Sequence, residues 1–151
     1  MEFGWINIFG AVFVILMLIP NIVYAMNNKG EKNLCTNRFM NLIEQVGRYA
    51  CIVLMWLPLL VWKFGFASVI EMLLYLIGNG ILLTAYWVVF SIYMNRKSPG
   101  FAITLAILPA CIFLLSGIIL RHWLLVVFAA LFAVGHIYVT EKNAELFKDK
   151  K

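Results

Sequence analysis

Charged residues are scarce in this sequence. Asp, Glu, Lys and Arg make up 13% of the 151 residues, whereas a soluble domain carries about 25%. A soluble protein of this length has to cover its surface with polar side chains, and too few are present here. The shortage excludes a soluble globular domain, a disordered chain and a nucleic-acid-binding module. With 64% hydrophobic residues and a mean hydropathy of +0.95, the composition predicts an integral membrane protein.

Cysteine and the common catalytic motifs are also scarce or missing. Cys35, Cys51 and Cys111 are far apart and show no CxxC spacing, so neither a disulfide framework nor a zinc site is predicted. The sequence has no HExxH, GxSxG or P-loop motif, which leaves metal hydrolysis and acyl-enzyme chemistry without support. We therefore expect no metal and no cofactor.

Long apolar segments are what the sequence does contain. A helix needs about 20 apolar residues to cross the hydrocarbon layer, and five segments joined by short connections reach that length. They predict an all-α bundle in residues 1–140, with five transmembrane helices at about 3–26, 38–62, 68–94, 101–120 and 123–140. A short charged tail at 141–151 follows.

Two boundaries of this bundle, at its first segment and between its last two segments, can be interpreted in more than one way. The first segment carries a cleavage-like pattern at Val23-Tyr24-Ala25, but it lacks an initial Lys or Arg and is longer than the core of a signal peptide. We predict a retained helix there. Only Arg121-His122 separates the last two segments, so a tight helical hairpin is predicted and one long broken helix is the alternative.

Basic residues are divided unevenly between the two ends of this bundle. Nine lie in the loops after the first and third helices or in the tail, and two lie at the opposite end. The positive-inside rule then predicts a multi-pass cell-membrane protein with its N-terminus outside and its C-terminus in the cytoplasm. Interfacial aromatic belts agree with this orientation: Trp5, Trp62 and Trp123 fall at the outer boundary, and Tyr24, Tyr93 and Tyr138 near the inner one.

The second predicted helix carries a polar stripe. Ionisable residues cost about 2.5–3.5 kcal/mol each inside a bilayer, so the few present are informative. Asn41, Glu44, Gln45 and Arg48 fall on one face, and Glu44 and Arg48 have the i, i+4 order that favours an ion pair. The stripe predicts a binding or proton-handling site in the cytoplasmic half. A snorkelling, self-neutralised helix start is the alternative.

Polar residues in three other helices extend this prediction. Pro20 kinks the first helix or frees the carbonyl of residue 16, and Asn79 lies near mid-membrane, where it must find a partner. Most of the other polar residues in these helices are predicted, from their positions along the helices, to lie in the cytoplasmic half of the membrane. The candidate ligand-binding residues are Glu44, Arg48, Asn41, Gln45, Asn21, Tyr24, Asn79, Tyr86 and His136. Polar contacts that hold helices together are the alternative role.

A short pattern in the second helix carries a family resemblance. Asn41-x-x-Glu44, preceded by Arg38 and by a first helix entering from outside, resembles the membrane-associated glutathione and eicosanoid (MAPEG) family. That family forms four-helix trimers that bind glutathione at the cytoplasmic side. The resemblance implies that Arg38, Asn41 and Glu44 would belong to a glutathione site. The chain departs from the family in its five predicted spans and in lacking the Arg-rich later helix.

Three functions remain open from the sequence. The favoured one is non-enzymatic binding or transport of a small solute, ion or lipid. The expected partners are membrane lipids, a second copy of the chain or a larger membrane complex, with no nucleic acid. The second is an intramembrane enzyme acting on a lipid or a glutathione-type substrate, with Glu44 or His136 as acid or base and Arg48 holding an anion. The third is a structural subunit without a ligand of its own.

Overall fold

The computed structural model describes residues 6–27, 33–57, 59–61 and 65–148. The regular elements in these ranges are five helices: α1 (Ile8–Asn27), α2 (Arg38–Leu54), α3 (Val69–Asn95), α4 (Pro99–Ile119) and α5 (Trp123–Lys148). Four of them, α1, α3, α4 and α5, are long and apolar enough to cross a membrane. The prediction of an all-helical fold is confirmed for the described residues, with four helices that could cross a membrane.

Helix α2 differs most from its prediction. It begins at Arg38 as expected, because the Asn37 side chain accepts the backbone N–H groups of Phe39 (3.1 Å) and Met40 (3.2 Å) as an N-cap. It ends at Leu54 and not at residue 62, because the chain turns at 55–57 before Pro58, a residue that disfavours helix in its predecessor. The resulting 17-residue helix is not among the four apolar ones.

Two residues of the predicted aromatic belts, Trp62 and Trp5, lie outside the described residues.

The last two segments form separate helices joined by a tight turn, as predicted. Arg121 adopts a left-handed conformation with φ 54°, and the backbone N–H of His122 donates to the Gly117 carbonyl at 2.8 Å. A left-handed residue combined with such a backbone hydrogen bond is typical of the carboxyl end of a helix. Helix α5 then continues to Lys148, so the charged tail predicted from residue 141 begins as helix.

Proline in α1 has the consequence expected from the sequence. Pro20 has no N–H to donate to the carbonyl of Leu16. The indole N–H of Trp87 in α3 donates to that carbonyl at 3.1 Å. A backbone group left over in one helix is thereby used to attach α1 to α3.

Helices α1 and α3 run parallel to one another. Asn7, just before α1, contacts the hydroxyl of Tyr75 near the start of α3 (3.4 Å), and the Tyr24 and Tyr93 rings meet near the two carboxyl ends, with centroids 6.2 Å apart. The chain between these helices must therefore return along the bundle. Helix α2 makes this return, because Trp56, just beyond its end, accepts the backbone N–H of Asn7 at 2.8 Å.

The two ends of the bundle are named here by what lies at them. The turn end holds the Arg121-His122 turn and the starts of α1, α3 and α5. The tail end holds the carboxyl ends of those three helices and the starts of α2 and α4. Across the bundle, α2 packs on α5, α5 on α4, α4 on α3, and α3 on α1.

Glycine residues bring α2 and α5 into backbone contact. A Cβ atom on Gly47 would lie 2.8 Å from Cα of Phe132, and one on Gly135 would lie 2.7 Å from the backbone nitrogen of Glu44. Small residues at a crossing allow two membrane helices to approach this closely. The crossing places the polar stripe of α2 directly against α5.

Candidate functional site

An ion pair within α2 is joined by a histidine from α5. The guanidinium of Arg48 and the carboxylate of Glu44 pair across one helical turn, as their spacing predicts. Nδ1 of His136 lies 3.1 Å from the same carboxylate oxygen, Oε1. The Glu44 side chain is only 8% exposed, whereas that of Arg48 is 44% exposed. The accessible member of the pair is therefore the cation.

The imidazole of His136 is held on two sides. Its ring stacks on Phe132, one turn earlier in α5, with centroids 4.8 Å apart and an interplanar angle of 18°. Because a carboxylate can only accept, Nδ1–H donates to Glu44, and this contact fixes the orientation of the ring. Nε2 is the nitrogen left for hydrogen bonding or proton exchange with another group.

A cavity of about 380 Å³ lies in the tail half of the bundle, with residues of all five helices in its wall. We call it the central cavity. Its volume is within the range of about 300–1,000 Å³ seen for small-molecule sites. Most of the wall is aliphatic or aromatic, and the polar groups come from Asn21, Tyr24, Arg48, Tyr86, Tyr93, His136 and Thr140.

A second cavity of about 390 Å³ lies beside the first, and we call it the polar cavity. Three residues, Arg48, His136 and Thr140, line both cavities and form the boundary between them. The rest of the polar cavity is lined by Asn33, Glu44, Gln45, Tyr49, Val139 and Asn143.

Asn143 attaches the segment before α2 to the end of α5. Its side-chain oxygen accepts the backbone N–H groups of Leu34 (2.8 Å) and Cys35 (3.0 Å). Asn41 binds the same segment, donating to the Cys35 carbonyl (2.9 Å) and accepting from Asn33 (2.8 Å). The sequence did not single out Asn143, because it lies in the stretch predicted as a charged tail.

Seven of the nine predicted residues line one or both cavities: Asn21, Tyr24, Glu44, Gln45, Arg48, Tyr86 and His136. Two of them, Tyr86 and Asn21, are also bonded to each other, with the Tyr86 hydroxyl donating to Asn21 at 3.1 Å. The remaining two, Asn41 and Asn79, lie elsewhere. Asn41 holds the 33–37 segment, and Asn79 is buried toward the turn end.

Asn79 belongs to a buried network that joins three helices. Ser116 of α4 donates to the Asn79 side-chain oxygen (3.3 Å), and the Asn79 amide donates to the Tyr75 carbonyl (3.0 Å). Asn7 completes the network through the Tyr75 hydroxyl, and all four residues are fully buried. Because their polar groups bond one another, we assign them to packing. Ser116 and Asn7 were missed from the sequence, where each is a single polar residue at the edge of or within an apolar run.

A histidine is also buried in the turn between α4 and α5. Nε2–H of His122 donates to the Leu59 carbonyl at 3.0 Å. Burial lowers the pKa of His122 from its ordinary value, and the backbone of Leu59 and Leu54 opposes this shift only in part. Its neighbour Arg121 pairs with Glu71 on the surface. Both contacts stabilise the turn end and lie away from the two cavities.

The described residues contain no group of three or more His, Cys, Asp or Glu side chains placed to hold a metal ion. The chain matches no known protein family, no curated protein and no solved structure. The resemblance at Asn41-x-x-Glu44 therefore gains no support from a family match. Function has to be argued from the cavities themselves.

Proposed function

We propose that this is a multi-pass membrane protein that binds a small amphipathic molecule in its central cavity. The observation that carries the proposal is the composition of the cavity wall. Apolar and aromatic side chains from five helices make up most of the wall, and the smaller polar part includes the boundary formed by Arg48, His136 and Thr140. Ligand sites in proteins commonly combine an apolar wall with a few convergent polar groups in this way.

Five crossings of the bilayer are part of the proposal. The parallel course of α1 and α3 supports them, since the chain has to return across the bilayer between two parallel spans. Helix α2 has 17 residues, which gives a length of about 26 Å, and residues 33–37 and 55–57 add to the path on either side. The excess of basic residues at the tail end supports a cytoplasmic location for that end.

Cysteine labelling of intact cells tests the crossings. In a background without the three native cysteines, single cysteines replace Ile6 and Ser68 at the turn end and Asn27 and Asn95 at the tail end. A membrane-impermeant maleimide should label the first two directly and the last two only after permeabilisation. Labelling of Ile6 and Ser68 positions from opposite sides would show that α2 does not cross.

Photolabelling tests the cavity. The probe is a monoacylglycerol with a diazirine in its chain, added to protein in nanodiscs, and mass spectrometry locates the labelled residues. Ala102→Trp places a large ring in the central cavity and should lower labelling by about tenfold, an affinity change of about 1.4 kcal/mol. Thr104→Trp on the exposed face of the same helix is the control. Equal labelling of the two variants would contradict the proposed site.

The contact between Glu44 and His136 is the observation that favours an enzyme as the second candidate. A carboxylate that orients an imidazole is one arrangement of a general base. We favour binding because most of the wall of the central cavity is apolar. The Glu44 carboxylate is covered and already accepts from both Arg48 and His136. It is therefore placed to position these two groups and not to meet a substrate.

A further inference from the structure

We propose that Arg48 forms a site for an oxyanion at the boundary of the two cavities, so that the ligand of the central cavity is a single-chain amphipath with a carboxylate or phosphate head. This inference rests on the proposed function and adds the chemistry of the head group. Its first support is the unequal exposure of the ion pair. A molecule entering either cavity meets the Arg48 guanidinium, with its side chain 44% exposed, while the Glu44 side chain is 8% exposed.

The hydrogen-bonding capacity of Arg48 gives the second support. A guanidinium has five N–H donors in a planar fork that fits a carboxylate or phosphate. Within the described residues, its hydrogen bond is to a single oxygen of Glu44. Arg48 lines both cavities, and a guanidinium forms charge-assisted hydrogen bonds with an oxyanion. An oxyanion there would satisfy donors that the protein leaves available.

The charge of the central cavity gives the third support. Among the residues that the structure describes, no Asp or Glu lines it, and the permanently charged side chain in its wall is that of Arg48. At its tail-end margin, Lys97 places its ammonium 5.6 Å from the ring centroid of Tyr24, which adds positive charge on the side from which an anion would approach. Glu44 reaches only the polar cavity, on the far side of Arg48.

The shape of the site then sets the class of ligand. The head-group site lies at the boundary of the two cavities, and the wall beyond it is mostly aliphatic or aromatic, with Ile52, Phe90, Leu105 and Phe113 among its residues. A molecule with an oxyanion at one end and one hydrocarbon chain at the other matches this arrangement, in which the head-group site is followed by the wall of the central cavity. A free anion would use the head-group site alone.

Two photolabelling probes with the same diazirine chain test the inference in nanodiscs of neutral lipid. One is a fatty acid and the other is the neutral monoacylglycerol. We expect the fatty acid to bind the wild-type protein about tenfold more tightly. Arg48→Gln should remove this preference and leave monoacylglycerol binding unchanged, whereas Arg48→Lys should retain part of it because the charge remains. Arg121→Gln at the turn end is the matched arginine control.

A second variant controls for misfolding of Arg48→Gln. Arg48→Gln leaves Glu44 without its cation, so Glu44→Gln/Arg48→Gln, which removes both charges, is measured beside it and should show the same loss of preference. Equal binding of the two probes to the wild type would overturn the inference. A loss in Arg121→Gln as large as in Arg48→Gln would also overturn it.

The same experiment separates this inference from the proposed function. If neither probe labels the central cavity, the proposed function fails. If both label it equally well whatever stands at position 48, the cavity binds amphipaths and only the oxyanion site fails. Millimolar inorganic phosphate distinguishes the sources of the anion: displacement of the fatty acid indicates that a soluble oxyanion can occupy the site, and no displacement indicates that the hydrocarbon chain is required.

Discussion

Gly135 lies directly against the backbone of Glu44. A Cβ atom at Gly135 would come within 2.7 Å of the Glu44 nitrogen, closer than such atoms approach without a shift of the helices. The next residue in α5 is His136, whose Nδ1 meets the Glu44 carboxylate. The missing side chain of Gly135 thus sets the separation at which the histidine and the ion pair meet.

Gly135→Ala should therefore destabilise the protein by about 1–3 kcal/mol, the usual cost of adding a group to a packed contact. Gly80→Ala is the control, because a Cβ there meets nothing within 4 Å and alanine favours helix by about 1 kcal/mol. Denaturation of both variants in detergent gives the comparison. If Gly135→Ala is as stable as the control, the close packing of α2 on α5 is not as described.

Removal of Glu44 should cost more than removal of the whole ion pair. Glu44→Gln leaves the Arg48 cation without its counter-charge and should lower stability by about 1–3 kcal/mol, less than for a fully buried pair because Arg48 is partly exposed. Glu44→Gln/Arg48→Met should recover part of the loss. A double-mutant cycle measures the coupling. Additive effects of the two substitutions would show that the pair does not interact.

The buried network should contribute to stability without affecting ligand binding. Asn79→Ala removes the bond that its side-chain oxygen accepts from Ser116 inside a fully buried network, and we expect a loss of about 1–3 kcal/mol. Ser91→Ala is the comparison, because the Ser91 hydroxyl is exposed and bonds the Trp87 carbonyl of its own helix at 2.9 Å. Its effect should stay below about 0.5 kcal/mol. Reduced photolabelling in folded Asn79→Ala protein would contradict the assignment of this network to packing.

His122 should make stability depend on pH. Burial lowers its pKa in the folded state below the ordinary value of 6.5, so the unfolded chain binds a proton more readily. The stabilisation is present above pH 6.5 and is lost as the pH falls below that value. In His122→Gln the melting temperature should fall less between pH 7.5 and pH 5.5 than in the wild type. His136, the other histidine, is present in both proteins, and parallel pH curves would argue against the assigned role of His122.

Apolar length and periodicity predicted much of the fold. The four apolar helices and the break at Arg121-His122 follow from the length of hydrophobic runs and from turn residues, both of which are local. The end of α2 was placed too late because the apolar residues after Leu54 continue the pattern, while the turn before Pro58 depends on the neighbouring α1, to which Trp56 is bonded.

From the sequence, the candidate site could be predicted only as a set of polar residues at a similar depth in the membrane. Polar residues in an apolar run stand out, so Glu44, Arg48 and His136 could be singled out as candidates from the sequence. Which of them face one another depends on the glycine contacts between α2 and α5, and these join residues 47 and 132, and 135 and 44. Asn79 has the same polar character as Asn21, and only the partner helices decide that one lies in a packed network and the other at a cavity.

The packing of α2 on α5 has a consequence for how the protein is made. In the proposed five-span topology, α2 leaves the ribosome long before α5, so its charged residues would enter the membrane when the counter-charge available to them is the one they provide for each other. Contact with His136 and closure of the central cavity wait until the last helix is inserted. A nascent chain that stops before Trp123 would leave Gly47 and the Glu44–Arg48 pair without the contacts that α5 provides.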